Sequence, residues 1–272
     1  PDKIRELADT GDAEAQYWLG ELIYNGAIDN WQELNLYRYW KMAMEQAHPA
    51  ATVSLYRYIQ SGYGMSDEEQ VVRSKIVKSY LIKLANAGEA EAAYLLYGIT
   101  QDEASDNEEN IDGYDTLLRK KSISYLKLAH ELGSRAASKT YAHFLEWGFF
   151  TEQDPVRALA IFEKAYLMGA DTLDEEEAMT TCLILENMAE YYSGTKRTKI
   201  NVEYVDFVDA KDENKYFDTL QKGKIHSCHR LMLDLAWLLY GRFNEEDATK
   251  AYFTGMDALS IVKAKKDGPR FA

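Results

Sequence analysis

The chain has 272 residues, 46% hydrophobic and 28% charged, with 31 Lys and Arg against 45 Asp and Glu. That balance excludes a globally disordered chain. A formal charge of −14 argues against nucleic acid and anionic lipid as partners and favours a basic protein. The same acid excess would also keep an extended protein in solution.

No stretch approaches the roughly 18 apolar residues of a spanning helix, so membrane insertion is not expected. The chain opens at Pro1 rather than Met, which reads as a processed or trimmed terminus. The address stays open between a cytoplasmic one and a periplasmic or exported one reached after loss of an N-terminal segment. Four prolines suit a chain of long helices, and 20 tyrosines supply large apolar bodies with polar tips.

An internal repeat organises the chain. Leu7 to Gly20 (LADTGDAEAQYWLG) matches Leu84 to Tyr97 (LANAGEAEAAYLLY) at Gly11/Gly88, Ala13/Ala90, Glu14/Glu91, Ala15/Ala92, Tyr17/Tyr94 and Leu19/Leu96. Ala47, Ala51, Leu55 and Gly62 form a weaker copy, and Gly133, Ala137 and Gly148 another. Between the copies lie second helices. Residues 32–47 carry Leu36, Tyr37, Trp40, Ala43 and Met44 at helical spacing. Residues 67–87 open on Ser66 with Glu69 as a capping box. Residues 115–132 follow, and then a helix entered through Asp154-Pro155. A last helix is expected from Asn244-Glu245-Glu246-Asp247 onward. The glycines at 11, 26, 62, 88, 133, 148, 169, 223 and 241 are expected at helix ends. The acidic stretch 102–112 reads as a solvated loop, and 201–208 as an extended excursion or short strand.

One helix pair cannot bury both of its apolar faces, so such pairs stack on one another. The expected fold is therefore all-α, a single solenoid over 1–272 of about six antiparallel helix pairs. Its repeats should be clear over 4–170 and divergent over 171–265, with an insertion near 195–212.

Asp12-Ala13-Glu14-Ala15-Gln16-Tyr17-Trp18-Leu19-Gly20, with Gly26 closing the segment and Tyr37, Trp40, Ala43 and Ala47 following, resembles the Sel-one-like repeat (SLR), a relative of the tetratricopeptide repeat. Tyr80 and Tyr125 resemble the tyrosine of that second half. Tyr56, Tyr97 and Ala142 stand where Gly20 stands in the first copy, and a Tyr there demands wider local helix spacing. The resemblance implies that the first helix of each pair lines a concave surface. The candidate groove residues are then Glu14, Tyr17, Trp18, Glu21 and Tyr24 in the first pair and Val53 and Arg57 in the second. Glu91, Tyr94 and Gln101 follow in the third, and Lys139, His143 and Glu146 in the fourth. Tyr17 and Tyr94 also suit plain packing between helices, since the family's own pattern has Tyr at that place.

For chemistry, His226-Ser227-Cys228-His229 is the one cluster resembling a metal or nucleophile site, and Cys182 would have to complete a zinc tetrad from far upstream. Stacked helices some 8–10 Å apart hold the two cysteines out of disulfide reach, so both read as buried small hydrophobes. No metal, cofactor or catalytic residue is expected. The carboxylate run 174–177 reads as a helix start. The leading functional reading is a non-enzymatic scaffold or adaptor that binds a protein or peptide in its groove. SLR proteins resemble adaptors in signalling, quality control and bacterial envelope or secretion systems. The alternative is a bacterial immunity-type inhibitor covering the active site of a basic toxin. A hydrolase stands third. Oligomeric state is left open.

Overall fold

The computed structural model describes residues 2–28, 33–106, 116–169, 175–194, 197–200, 203–206, 211–240, 250–251 and 253–258. Among these are twelve helices: α1 (Asp2–Asp9), α2 (Ala13–Tyr24), α3 (Glu33–Glu45), α4 (Pro49–Gln60), α5 (Asp67–Asn86), α6 (Ala90–Asp106), α7 (Thr116–Glu131), α8 (Arg135–Trp147), α9 (Pro155–Leu167), α10 (Glu175–Ser193), α11 (Glu213–Ile225) and α12 (His229–Tyr240). Two short strands, β1 (Arg197–Ile200) and β2 (Glu203–Asp206), pair antiparallel between α10 and α11, with Arg197 opposite Asp206 and Ile200 opposite Glu203. Residues 250–251 and 253–258 are helical again.

The chain comprises two compact units, Pro1–Ala137 and Ser138–Ala272. In the first, every helix from α1 to α7 packs on the next in chain order; in the second, α9, α10, α11 and α12 do the same. This is the order that stacked helix pairs require. Helices α2, α4, α6, α8, α10 and α12 are the first helices of their pairs, and α3, α5, α7, α9 and α11 the second.

The repeat is written into the backbone at the connection from one pair to the next. Five of these connections have three residues: 10–12, 46–48, 87–89, 132–134 and 226–228. In each the middle residue is left-handed, Gly11 (φ 105°), Ala47 (60°), Gly88 (103°), Gly133 (93°) and Ser227 (57°). The third residue's N–H then returns to a carbonyl five residues back, Asp12 to Leu7, His48 to Ala43, Glu89 to Leu84, Ser134 to Ala129 and Cys228 to Gly223, at 2.8–3.1 Å. This closure satisfies the orphan carbonyls of the ending helix. In three of the five the third residue next caps the following helix: Asp12 accepts from the Ala15 N–H at 2.7 Å, His48 Nδ1 from Ala51 at 3.2 Å and Ser134 Oγ from Ala137 at 3.2 Å. The expected capping box at Ser66 and Glu69 is present in both halves, and Asp154 caps α9 ahead of Pro155.

The core of the first unit runs through Leu36, Trp40, Met44, Leu55, Ile59, Leu81, Leu96 and Leu126, all fully buried. Gly20 lies flat against Trp40, so close that a Cβ would collide with the indole Nε1 and lie 2.5 Å from Cδ1. Counting back from the ends of α3, α5, α7 and α9, the residues equivalent to Trp40 are Leu81, Leu126 and Phe162. By position, the pairs that correspond to the Gly20/Trp40 contact are therefore Tyr56/Leu81, Tyr97/Leu126 and Ala142/Phe162. Where the first helix gains bulk the second loses it, which keeps the interior filled. Beside the half-buried Tyr56, a cavity of about 370 Å³ remains between α4, α5 and α6.

Three sequence expectations need correction. Gly223 lies inside α11, where it admits Leu231, whose Cβ would sit 2.5 Å from a Cβ at that place. The acidic stretch is helical through Asp106, because the third pair's first helix, α6, runs to 17 residues. Residues 107–112 lie outside the described residues, as do Gly241 and the start expected at 244–247. Val53, placed in the groove by offset, is buried.

Candidate functional site

In the first unit the exposed flanks of α2, α4 and α6 carry a polar ladder from one first helix to the next. Glu14 Oε2 meets His48 Nε2 at 2.9 Å, Ser54 Oγ donates to Glu21 Oε1 at 2.7 Å, and Arg57 Nη2 donates to Glu91 Oε1 at 3.1 Å. The partners are 34, 33 and 34 residues apart, about one repeat, so each rung joins equivalent faces of neighbouring helices. The hydrogen bonds from His48 and then Trp18 hold the Glu14 carboxyl below its ordinary value.

Aromatic rings sit among these rungs. Tyr17 stacks on His48 with centroids 5.0 Å apart, and its phenol is pushed up by burial and by the carboxylates of Glu21 and Glu14. Trp18 is 49% exposed and donates its indole N–H to Glu14 Oε1 at 2.8 Å. Tyr24 is 54% exposed and leans over Trp40 with centroids 5.6 Å apart. In α6, Tyr94 is half-buried and stacks on Tyr97 at 5.9 Å, and Gln101 Oε1 accepts from Ser122 Oγ at 3.0 Å. Glu14, Tyr17, Trp18, Glu21, Tyr24, Arg57, Glu91 and Tyr94 thus share one face of the first unit's first helices.

The fourth pair's candidates lie in the second unit, on α8. Lys139 is half-buried, and that burial pulls its ammonium pKa down. His143 Nδ1 meets Glu146 Oε2 at 2.9 Å, and its ring packs edge-on against Phe162. Glu146 itself is 2% exposed and is no surface residue. The offset that equates it with the exposed Tyr24 ignores what packs above: Tyr191 of α10 faces Glu146, and its phenol is pushed far up by burial first and then by that carboxylate.

Sequence reasoning also missed the disulfide. Cys182 of α10 and Cys228 are bonded, with Cα atoms 5.3 Å apart. An interaxial spacing of about 8–10 Å is no barrier, because each facing Cα stands roughly 2.3 Å off its own axis toward the other. Cys228 occupies the cap position that His48 holds in the second pair; like His48, it reaches back to the preceding first helix. Both thiols are consumed by this bond, so neither serves as a zinc ligand here.

Two cavities lie among the described residues of these helices. The one beside Tyr56 is lined also by Lys75, Lys78, Asp102 and Glu103, with Lys78 paired to Glu103 at 2.5 Å. The Tyr56 phenol is pushed up to about 12 by burial, then by Asp102 and Glu103. The second, about 270 Å³, lies between α10, α11 and α12, where Arg230 bridges Glu186 at 3.5 Å and Glu190 at 3.3 Å.

Helix pairs stacked in chain order and joined by repeated left-handed turns define an α/α-superhelix repeat protein. The fold is that of the SLR proteins. The crystal structure of a Sel1 repeat protein from Oxalobacter formigenes matches with a TM-score of 0.58 and 16% identity, over 94% of this chain and 99% of that one. A protective antigen of uropathogenic Escherichia coli strains displaying an SLR fold matches with a TM-score of 0.50 and 16% identity, over 98% of this chain and 68% of that one. No family model and no curated protein matches the sequence. Among the described residues, no helix is long and apolar enough to cross a membrane.

Proposed function

We propose that the chain is a non-enzymatic protein-interaction module that holds a partner protein or peptide against the first-helix face of its first unit. The observation that supports this best is the ladder across α2, α4 and α6. Its charged and aromatic side chains are ordered by one another while Trp18, Tyr24 and Arg57 stay exposed, so a partner need not first immobilise them. Aromatic anchors ringed by charge are what recognition surfaces tend to use. The net charge of −14 favours a basic partner through long-range steering. Lys139 and His143 are the corresponding candidates in the second unit. The disulfide favours the periplasmic or exported address, since such bonds persist in oxidising compartments.

The test is affinity purification of the full chain from native cells beside an Arg57→Glu variant. A stable protein partner that the variant releases, at an unchanged melting temperature, supports the reading. A toxin as that partner, with its active site covered, would assign the inhibitor role. Absence of any protein partner, or retention indifferent to Arg57, overturns the proposal.

A further inference from the structure

The connection from α8 to α9, in the second unit, exposes large aromatics on a backbone that is already fixed. Trp147 is 44% exposed, Phe149 51% and Phe150 41%. Phe149 sits between neighbours, its centroid 5.9 Å from Phe144 and 5.6 Å from Phe150. Four hydrogen bonds lock the turn onto the end of α8. The Phe149 N–H donates to the Phe144 carbonyl at 2.9 Å, and Thr151 Oγ1 donates to the same oxygen at 3.0 Å. The Asp154 N–H donates to the Leu145 carbonyl at 2.8 Å, and Gln153 Nε2 to the Glu146 carbonyl at 2.8 Å.

The turn pays for this presentation in backbone energy. Phe150 has φ 52°, a left-handed conformation that is strained for a bulky L-residue. Unlike Ala47 and Ser227, it does not fill the repeated turn between pairs. Geometry does not demand aromatics there either: the first pair makes its corresponding exit through Gly26 with Ala27 and Ile28, where Gly148 is followed by Phe149 and Phe150. Strain of this sort collects at ligand-contacting sites.

The surroundings say what would cover the rings. Glu152 is exposed in the same turn and finds no partner among the described residues. A purely apolar occupant would strip water from that carboxylate without replacing it. An anionic surface would meet both Glu152 and the overall negative charge. A guanidinium answers both features, its planar face on the rings and its N–H groups on the carboxylate, with the aliphatic stem over the remaining apolar surface. The chain already makes such pairings internally, with Arg73 over Tyr37 at 4.4 Å and Arg157 over Tyr141 at 5.8 Å.

We propose that Trp147, Phe149, Phe150 and Glu152 form a preformed anchor for an arginine side chain of a partner protein. The anchor rests on the interaction-module reading and names a second contact point for it.

The test uses the full chain and the blocked peptide acetyl-Ala-Leu-Arg-Leu-Ala-amide, with lysine, citrulline and glutamate in place of arginine, followed by calorimetry. Affinity should fall from arginine to lysine and drop about tenfold or more for citrulline, which keeps the shape and loses the charge. Phe149→Ser, which leaves the net charge alone, and Glu152→Gln should each weaken the arginine peptide about tenfold. Phe150→Gly should do so with a melting temperature unchanged or raised. Equal binding of the citrulline peptide overturns the anchor, as does indifference to both Phe149→Ser and Glu152→Gln. Binding of zwitterionic lipid vesicles that Phe149→Ser abolishes would make the turn a membrane contact and overturn it as well. If Phe149→Ser fails to fold, Glu152→Gln carries the test alone. Loss of the peptide arm with partner capture intact sinks the anchor only; peptide binding without any captured protein sinks the module reading.

Discussion

Gly20 has no side chain because Trp40 fills the space beside it. Gly20→Leu should destabilise by overpacking, about 1–3 kcal/mol in urea unfolding, and a neutral result would contradict the contact. The corresponding pairs in the other repeats supply a stricter trial. Trp40→Leu alone leaves a void and should cost roughly 3 kcal/mol or more, whereas Gly20→Tyr combined with Trp40→Leu should recover much of it, as Tyr56 with Leu81 does two helices on. Additive losses in that double variant would refute the volume exchange. The sequence displayed half of this: Gly20, Tyr56, Tyr97 and Ala142 align at once. The other half stayed hidden because Trp40, Leu81, Leu126 and Phe162 align only from the ends of their helices, and the connections before them vary in length. Glu146 was illegible for a related reason. An offset transfers a position along one helix and says nothing of the Tyr191 that a neighbour brings against it.

At the level of elements, the helices were legible from Ala, Leu and aromatic spacing, and boundaries at Ser66 and Asp154 were marked by their caps. The turn between pairs was only partly legible, since Gly11, Gly88 and Gly133 announce a left-handed residue and Ala47 and Ser227 do not. Replacing Ala47 with Gly should leave stability unchanged or raise it by up to about 1 kcal/mol, while Gly88→Ala should lower it by about 1 kcal/mol. Opposite signs in thermal unfolding would support the shared conformation, and equal losses would refute it. His48 was missed as a site residue because its role depends on that turn, which sets it as a cap facing back toward Glu14.

For the whole molecule, the Cys182–Cys228 bond closes a loop across the insertion that carries β1 and β2, with a sequence separation of 46. The chain-entropy model assigns such a closure about 4 kcal/mol. Reduction, or the Cys182→Ser/Cys228→Ser double variant, should therefore lower the melting temperature clearly, and thiol titration of the unreduced, denatured chain should find no free cysteine. Free thiols, or a melting temperature indifferent to reductant, would refute the bond.

Five of the links that lead from one pair to the next are held to three residues, whereas the links inside the pairs range from six residues between α4 and α5 to the hairpin-bearing stretch between α10 and α11. Length tolerance is thus unequal between these five links and the links inside the pairs. Foreign segments grafted within a pair should be accommodated, while a single residue added between pairs would rotate everything downstream out of register. Such a chain can diversify its contacts along one margin while the opposite margin keeps count.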